Sequence, residues 1–313
     1  MVWLLLVTLF YGIIGQSQSI ESQSAVKQIL VIQGEEQEVK KIIEVQGHRG
    51  ARSVLPENTL AAFEYAMQVG VDTLEFDLGV TADEVVVVSH DQKINQTICQ
   101  YLDGSQIEHS KWLHEMTLDE VRAIDCGAKP NPRFPAQKLQ PQSQIPTLDE
   151  VFQLVADSSL ENAKNILFNI ETKSDPEHPH AQPEPKRFVE LILASVDKYN
   201  VGDRVTIQSF DHRTLRAAKR LDSTIQLSAL FESAPNDWVA ATKEAKADIV
   251  SPYYKVIDKD SVSIMQAAGL RVIPWTANTE ESWQHLIDIG VDGIISDDPE
   301  PLIKFLSNQP TNQ

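Results

Sequence analysis

The sequence has 313 residues, 42% of them hydrophobic and 23% charged, and its 27 Lys and Arg against 45 Asp and Glu leave a formal net charge of −18. That length and apolar content suit one large globular domain, since α/β barrels of about 200–250 residues or more fold as single units. So acidic a body repels nucleic-acid phosphates and anionic membrane surfaces, which are bound chiefly through Lys and Arg; nucleic acid is therefore not an expected partner, and a phosphorylated ligand needs a local cation.

The chain opens with an almost wholly apolar run, residues 2–14. A helix of that length rises about 20 Å, short of the ~30 Å of a bilayer core. With the small and polar residues Gly15 to Ser19 behind it, the run reads as a secretory signal peptide over residues 1–19, although its first residues lack Lys and Arg. A buried strand or an uncleaved anchor is the competing reading. The expected location is secreted or periplasmic, with no stable membrane insertion once the signal is removed. Residues 20–41 are polar and acidic and read as a tail or linker.

From residue 42 to about 308 short apolar runs alternate with amphipathic stretches. The predicted strands are 42–46, 73–77, 85–89, 166–172, 205–209, 226–231, 248–252, 271–275 and 293–296. The predicted helices are 59–69, 148–157, 187–199, 212–221, 237–247, 259–268, 280–289 and 301–306. Strands rich in apolar residues, most followed by a helix, indicate a parallel sheet covered on its outer face. Eight β/α steps result if 85–89 is a companion to the second strand, which predicts a (β/α)8 TIM barrel. Residues 92–144 break the rhythm with a helical segment at 117–124, a Pro/Gln-rich run and both cysteines. They read as an insertion of about 50 residues on the C-terminal, active-site face of the barrel. In an exported chain Cys99 and Cys126 either oxidise to a disulfide, worth roughly 3–4 kcal/mol in the chain-entropy model, or remain two buried thiols.

Polar residues gather at the predicted strand ends. The first strand runs into Gly47-His48-Arg49-Gly50, and the second carries Glu75-Phe76-Asp77. Side chains alternate along a strand, so Glu75 and Asp77 share one face, and two like charges there call for a divalent cation bound through oxygen. The same spacing places Asn169, Glu171 and Lys173 on one face, where Glu171 adds a third carboxylate and Lys173 a charge for a phosphate oxygen. His90-Asp91 ends the 85–89 run and brings a second imidazole to the rim. Two histidines beside carboxylates and cations suit acid/base chemistry on a phosphodiester, one accepting a hydroxyl proton and the other donating to the leaving alkoxide. Taken singly, a Glu-x-Asp pair is more often solvated and a lone His more often structural; the barrel mouth is what unites them.

These residues make the chain resemble the glycerophosphodiester phosphodiesterase family. The match runs through Gly47-His48-Arg49-Gly50, Pro56-Glu57-Asn58-Thr59, Glu75-Phe76-Asp77-Leu78 with Thr81 and Asp83, His90-Asp91 and Ile145-Pro146-Thr147-Leu148. It continues through Asn169-Ile170-Glu171-Thr172-Lys173, Gln208-Ser209-Phe210-Asp211, Pro274-Trp275-Thr276 and Asp292-Gly293-Ile294-Ile295-Ser296-Asp297. The resemblance implies a (β/α)8 barrel, a divalent cation (Ca2+ or Mg2+) and hydrolysis of a small glycerophosphodiester to an alcohol and glycerol 3-phosphate. His48 and His90 match the family's acid/base pair, Glu75, Asp77 and Glu171 its metal ligands, and Arg49 and Lys173 its phosphate contacts. The family mechanism implies attack by a free glycerol hydroxyl and a cyclic phosphate that water opens.

Three smaller points complete the reading. Trp275, at a strand end, is either core or an apolar wall beside the glycerol. Thr59 or Asn58 caps the first helix, and Glu57 either fixes the first loop or approaches the ion. Gln96-Thr97-Ile98 stands where the family often has Arg-Thr-Thr, inside the insertion that would set substrate breadth. The competing functions are a phospholipase D-like hydrolase of lysolipids, which needs an exposed apolar patch, and a non-catalytic phosphodiester-binding protein, which needs neither histidine.

Overall fold

The computed structural model describes residues 42–309, so the expected signal peptide and tail, residues 1–41, lie outside the described residues. The strands are β1 (Glu44–His48), β2 (Thr73–Val80), β3 (Val86–Val88), β4 (Gln100–Tyr101), β5 (Ile124–Asp125), β6 (Leu167–Thr172), β7 (Val205–Ser209), β8 (Gln226–Phe231), β9 (Ile249–Pro252), β10 (Arg271–Val272) and β11 (Gly293–Ser296). The helices are α1 (Leu60–Val69), α2 (Leu118–Arg122), α3 (Leu148–Asp157), α4 (Pro185–Tyr199), α5 (His212–Leu221), α6 (Trp238–Ala245), α7 (Lys259–Ala267), α8 (Glu280–Asp288) and α9 (Pro299–Ser307).

Eight strands run in the order β10-β9-β8-β7-β6-β2-β1-β11, all parallel. The ends of that path meet: Asp292 N donates to Val272 O at 2.8 Å, Ile295 N to Pro274 O at 3.0 Å and Ala277 N to Ile295 O at 3.1 Å. The sheet is thus a (β/α)8 barrel. β3 pairs antiparallel with the far end of β2, as a companion strand outside the eight.

Two differences from the expected elements have local causes. β2 runs three residues past Asp77 because Leu78, Gly79 and Val80 find partners in β3. β10 stops at Val272, where five strand residues were expected, because Pro274 has no N–H to give to the ladder. Ile273 N and Trp275 N still donate to Val250 O and Pro252 O.

Helix starts are written in side chains. Thr59 caps α1 by accepting from Ala62 N, and Thr147 and Glu150 form a reciprocal capping box on α3. The helices outside the insertion lay apolar stripes on the barrel; Phe63 and Phe152 meet the strand residues Phe76 and Phe168 at ring distances of 5.3 and 4.9 Å. All four rings are fully buried, and burying one Phe is worth about 2–3 kcal/mol. Inside the barrel the two halves differ. Ile249, Ile273 and Ile295 fill one side, while on the other Asn169 Nδ2 donates to Gln46 Oε1 (2.8 Å) and Gln208 Oε1 (3.1 Å). An Arg271–Glu44 ion pair lies at the N-terminal end of the strands.

The segment between β3 and α3 forms its own small unit. β4 pairs antiparallel with β5, Cys99 and Cys126 are joined in a disulfide, and Ile94, Ile107, Leu113, Met116, Val121 and Ile124 make a separate apolar cluster. It is fastened to the loop after β1: Gln137 Nε2 donates to Arg52 O (2.6 Å) and Leu55 O (3.0 Å), and Lys138 N to Val54 O (2.8 Å). That loop leaves the C-terminal end of β1, so the insertion borders the mouth.

Candidate active site

β1 delivers His48 into a turn that only glycine permits on either side. A Cβ on Gly47 would stand 2.2 Å from Gly50 O, and Gly50 has φ +84° with Ala62 packed against it. Arg49 itself is held in the left-handed region, φ 51°, where a non-glycine residue costs on the order of 1 kcal/mol. Its backbone N–H donates to Glu75 Oε2 at 3.0 Å, which ties the strained turn to the next strand.

Register then aligns the inward-facing residues. His48 pairs with Glu75, Glu75 with Asn169, Asp77 with Glu171, and Glu171 with Gln208. One carboxylate oxygen each from Glu75, Asp77 and Glu171 lies within 4.8 Å of the others, and all three residues are buried. Burial first, and then the charges of Asp77 and Glu171, push the Glu75 carboxyl well above its usual range. Burial likewise raises Glu171, with Lys173 opposing and Asp77 adding to the rise. For Asp77 burial is outweighed by Arg49 and Lys173, which hold it well below the carboxylate range. Asp77 Oδ1 is buried without a hydrogen bond. Three hard oxygen donors, one without a hydrogen bond and two driven toward protonation, fit a divalent cation.

Cations surround the triad. Arg49 Nε lies 3.1 Å from Asp77 Oδ2 and its NH1 2.7 Å from Glu57 Oε1; Lys173 Nζ lies 2.7 Å from Glu171 Oε1 and 3.5 Å from Asp77 Oδ1. Glu57 therefore fixes the first loop through Arg49. Asn58 joins the site as well, its Nδ2 donating to Asp77 Oδ2 at 2.9 Å.

His48 Nδ1 stands 2.5 Å from Asp297 Oδ1. A carboxylate only accepts, so the proton sits on Nδ1 and Nε2 is the open nitrogen, 3.9 Å from Glu75 Oε2. Burial and the nearby Arg52 lower the His48 pKa to about 4 despite Asp297. Asp297, which burial would raise, is kept ionised by hydrogen bonds from His48 and from Arg52 Nε at 2.6 Å. His90 is half-buried, with Nδ1 2.8 Å from Asp91 Oδ1; Asn95 Nδ2 donates to Asp91 Oδ2 at 2.7 Å.

A cavity of about 370 Å³ collects these groups: His48, Arg49, Glu75, His90, Glu171 and Lys173 all border it, as does Trp275, whose ring packs with those of Phe210 and Tyr253 at 5.5 and 5.6 Å. Asp77 is buried in the triad and does not line the cavity. The eight residues singled out in the sequence thus converge on one place. Three partners had no assigned role: Asp297, Arg52 and Gln208, whose Nε2 donates to Glu75 Oε1 at 2.6 Å. The strand-end positions of Gln208 and Asp297 were the available signal.

Residues 48–301 match the Glycerophosphoryl diester phosphodiesterase family. A glycerophosphodiester phosphodiesterase of Caldanaerobacter subterraneus subsp. tengcongensis is 33% identical over 264 residues, 84% of this chain and 97% of that protein. A Silicibacter pomeroyi structure, described as a candidate glycerophosphoryl diester phosphodiesterase, superposes with a TM-score of 0.79 at 30% identity, covering 86% of this chain and 94% of the other. An Oleispira antarctica phosphodiesterase, solved with the product sn-glycerol-3-phosphate, shares the fold with a TM-score of 0.71 at 22% identity, over 85% and 97% of the two chains. The barrel and its mouth are those of a phosphoric diester hydrolase. The chain belongs to the glycerophosphoryl diester phosphodiesterase family.

Proposed function

We propose that this enzyme hydrolyses small glycerophosphodiesters to an alcohol and glycerol 3-phosphate, with Glu75, Asp77 and Glu171 holding a divalent cation, Ca2+ or Mg2+, and His48 and His90 moving the protons. The observation that carries the reading is the buried triad with an Asp77 oxygen that accepts no hydrogen bond, bordered by two imidazoles that each have an aspartate on Nδ1. A divalent cation held by Glu75, Asp77 and Glu171 would neutralise the triad and polarise the phosphoryl group. His48 Nε2 accepts the proton of the glycerol hydroxyl that attacks phosphorus, and His90, open to solvent, donates a proton to the departing alkoxide. The P–O bond to the alcohol breaks as the ring P–O bond forms; water then opens the cyclic phosphate with the two proton roles exchanged, giving glycerol 3-phosphate. Arg49 and Lys173 hold the phosphate oxygens, and Trp275 walls the glycerol. The relative's bound sn-glycerol-3-phosphate supports this product class.

Among the described residues no helix is long and apolar enough to cross a membrane. The disulfide supports an oxidising, secreted or periplasmic setting. Release of glycerol 3-phosphate from glycerophosphocholine, abolished by chelator and restored by added cation, is the test; full activity in excess chelator refutes the metal site. One observation favours the lysolipid alternative: Phe210, 44% exposed beside Trp275, gives the mouth an apolar lip. Turnover of lysophosphatidylcholine against glycerophosphocholine separates the two substrates.

A further inference from the structure

The cations so far assigned to the mouth are all engaged. Arg49 is shared between Glu57 and Asp77, Lys173 between Glu171 and Asp77, and Arg52 lies 2.6 Å from Asp297 Oδ1. An incoming phosphodiester has to compete with those carboxylates or meet a cation that is not yet paired. The insertion supplies one. The Arg133 side chain borders the same cavity as His48, Arg49 and Lys173. Among the described residues no carboxylate pairs with it, and its guanidinium lies 5.7 Å from the Phe134 ring centroid. The same ring carries Arg52 at 5.2 Å.

The loop that bears Arg133 is shaped by its own hydrogen bonds and anchored at its C-terminal end. Arg133 N donates to Asn131 Oδ1 at 3.0 Å, Phe134 N to Asn131 O at 2.9 Å and Gln137 N to Phe134 O at 3.0 Å. Pro130, Pro132 and Pro135 fix φ through the turn. Gln137 and Lys138 then bind the backbone of Arg52, Val54 and Leu55, the loop that follows His48 and Arg49. The backbone that carries Arg133 therefore has a set position relative to the turn that carries the first imidazole, and the Arg133 side chain itself is exposed.

We propose that Arg133 grips a non-bridging oxygen of the substrate's scissile phosphodiester, so that the insertion takes part in binding. This rests on the phosphodiesterase reading above. A guanidinium offers a planar pair of N–H donors that matches phosphate oxygens, and an unpaired one at the entrance reverses locally the field of a protein with net charge −18.

The test compares wild type, Arg133→Gln and Arg133→Lys with glycerophosphocholine and glycerophosphoserine, together with calorimetric affinity for sn-glycerol 3-phosphate. Arg133→Gln is expected to raise KM for both substrates and Kd for glycerol 3-phosphate about tenfold, with kcat within about twofold of wild type, and Lys to recover part of the loss. Unchanged KM and Kd overturn the proposal. So does a rise confined to glycerophosphoserine, which would assign Arg133 to the headgroup carboxylate. If wild type turns over neither substrate, the hydrolytic reading falls, and the calorimetry still judges Arg133: a weakened Kd in the Gln variant supports it and an unchanged one overturns it.

Discussion

Replacing Asp297 by Asn keeps the size of the side chain and removes one charge and one acceptor. In the native arrangement Oδ1 accepts from His48 Nδ1 (2.5 Å) and Arg52 Nε (2.6 Å), and Oδ2 accepts from Asn278 Nδ2 (2.8 Å) and Arg52 NH2 (3.4 Å). An amide satisfies only half of this. With its NH2 at the Oδ2 position it opposes the Asn278 donor; with its NH2 at the Oδ1 position it opposes Arg52 Nε–H and forces His48 Nδ1 to accept, which moves the imidazole proton to Nε2. The second orientation blocks the nitrogen that is to take the substrate's proton, and either orientation removes the negative charge that stabilises the imidazolium formed when His48 takes it. Loss of a positioned general base costs roughly 10²–10⁴-fold, so kcat should fall by that factor while KM changes little. The same variant strands Arg52, whose next carboxylate, Glu57, is 4.0 Å away, and breaking a buried pair costs about 3–5 kcal/mol. Turnover of glycerophosphocholine is measured on folded protein, with thermal melting and the charge-retaining Asp297→Glu as controls. A folded Asp297→Asn enzyme with kcat within about threefold of wild type would refute the role given to Asp297.

His48→Ala and His90→Ala are each expected to lower turnover by roughly 10²–10⁴-fold with the fold retained; near-wild-type kinetics would remove that imidazole from the mechanism. The depressed His48 pKa, about 4 against an ordinary 6.5, makes a stability prediction for metal-free protein. Between those values the unfolded chain binds a proton that the folded chain excludes, so the stability present above pH 6.5 is lost as pH falls and levels off below about 4, in total about 3 kcal/mol. Urea unfolding at pH 7.5 and 4.5 should therefore show wild type losing more than His48→Gln, and an equal loss in both proteins refutes it. Reduction of Cys99–Cys126 should raise protease sensitivity within 92–144 and shift KM more than it shifts barrel unfolding, since the bridge joins parts of the insertion only. Cleavage that is unchanged after confirmed reduction counts against this.

Period-two patterning and the rule that barrel sites lie at strand ends were enough to bring Glu75, Asp77 and Glu171 to one place, because each depends on a short stretch of its own strand and on parallel neighbours. Residues whose role exists only across the closed barrel were a different matter. His48 and Asp297 are 249 positions apart, and their contact follows from the β1–β11 pairing that closes the ring. Asp297 could be read as a strand-end carboxylate, but nothing local says that it faces an imidazole and not water. Gln208 is similar: its inward face was legible, while its bond to Glu75 depends on β6 separating their two strands. Arg133 was hidden for another reason. It lies in a proline-rich run without periodicity, where composition describes a loop and gives no direction. Its place at the mouth comes from Gln137 and Lys138 binding a loop 82 to 85 residues earlier, a docking set by single hydrogen bonds. Strand identity in this fold is therefore encoded locally, and the electrostatic environment of the site is assembled by long-range contacts, so the groups that set protonation states at the mouth are the ones a linear reading leaves without partners.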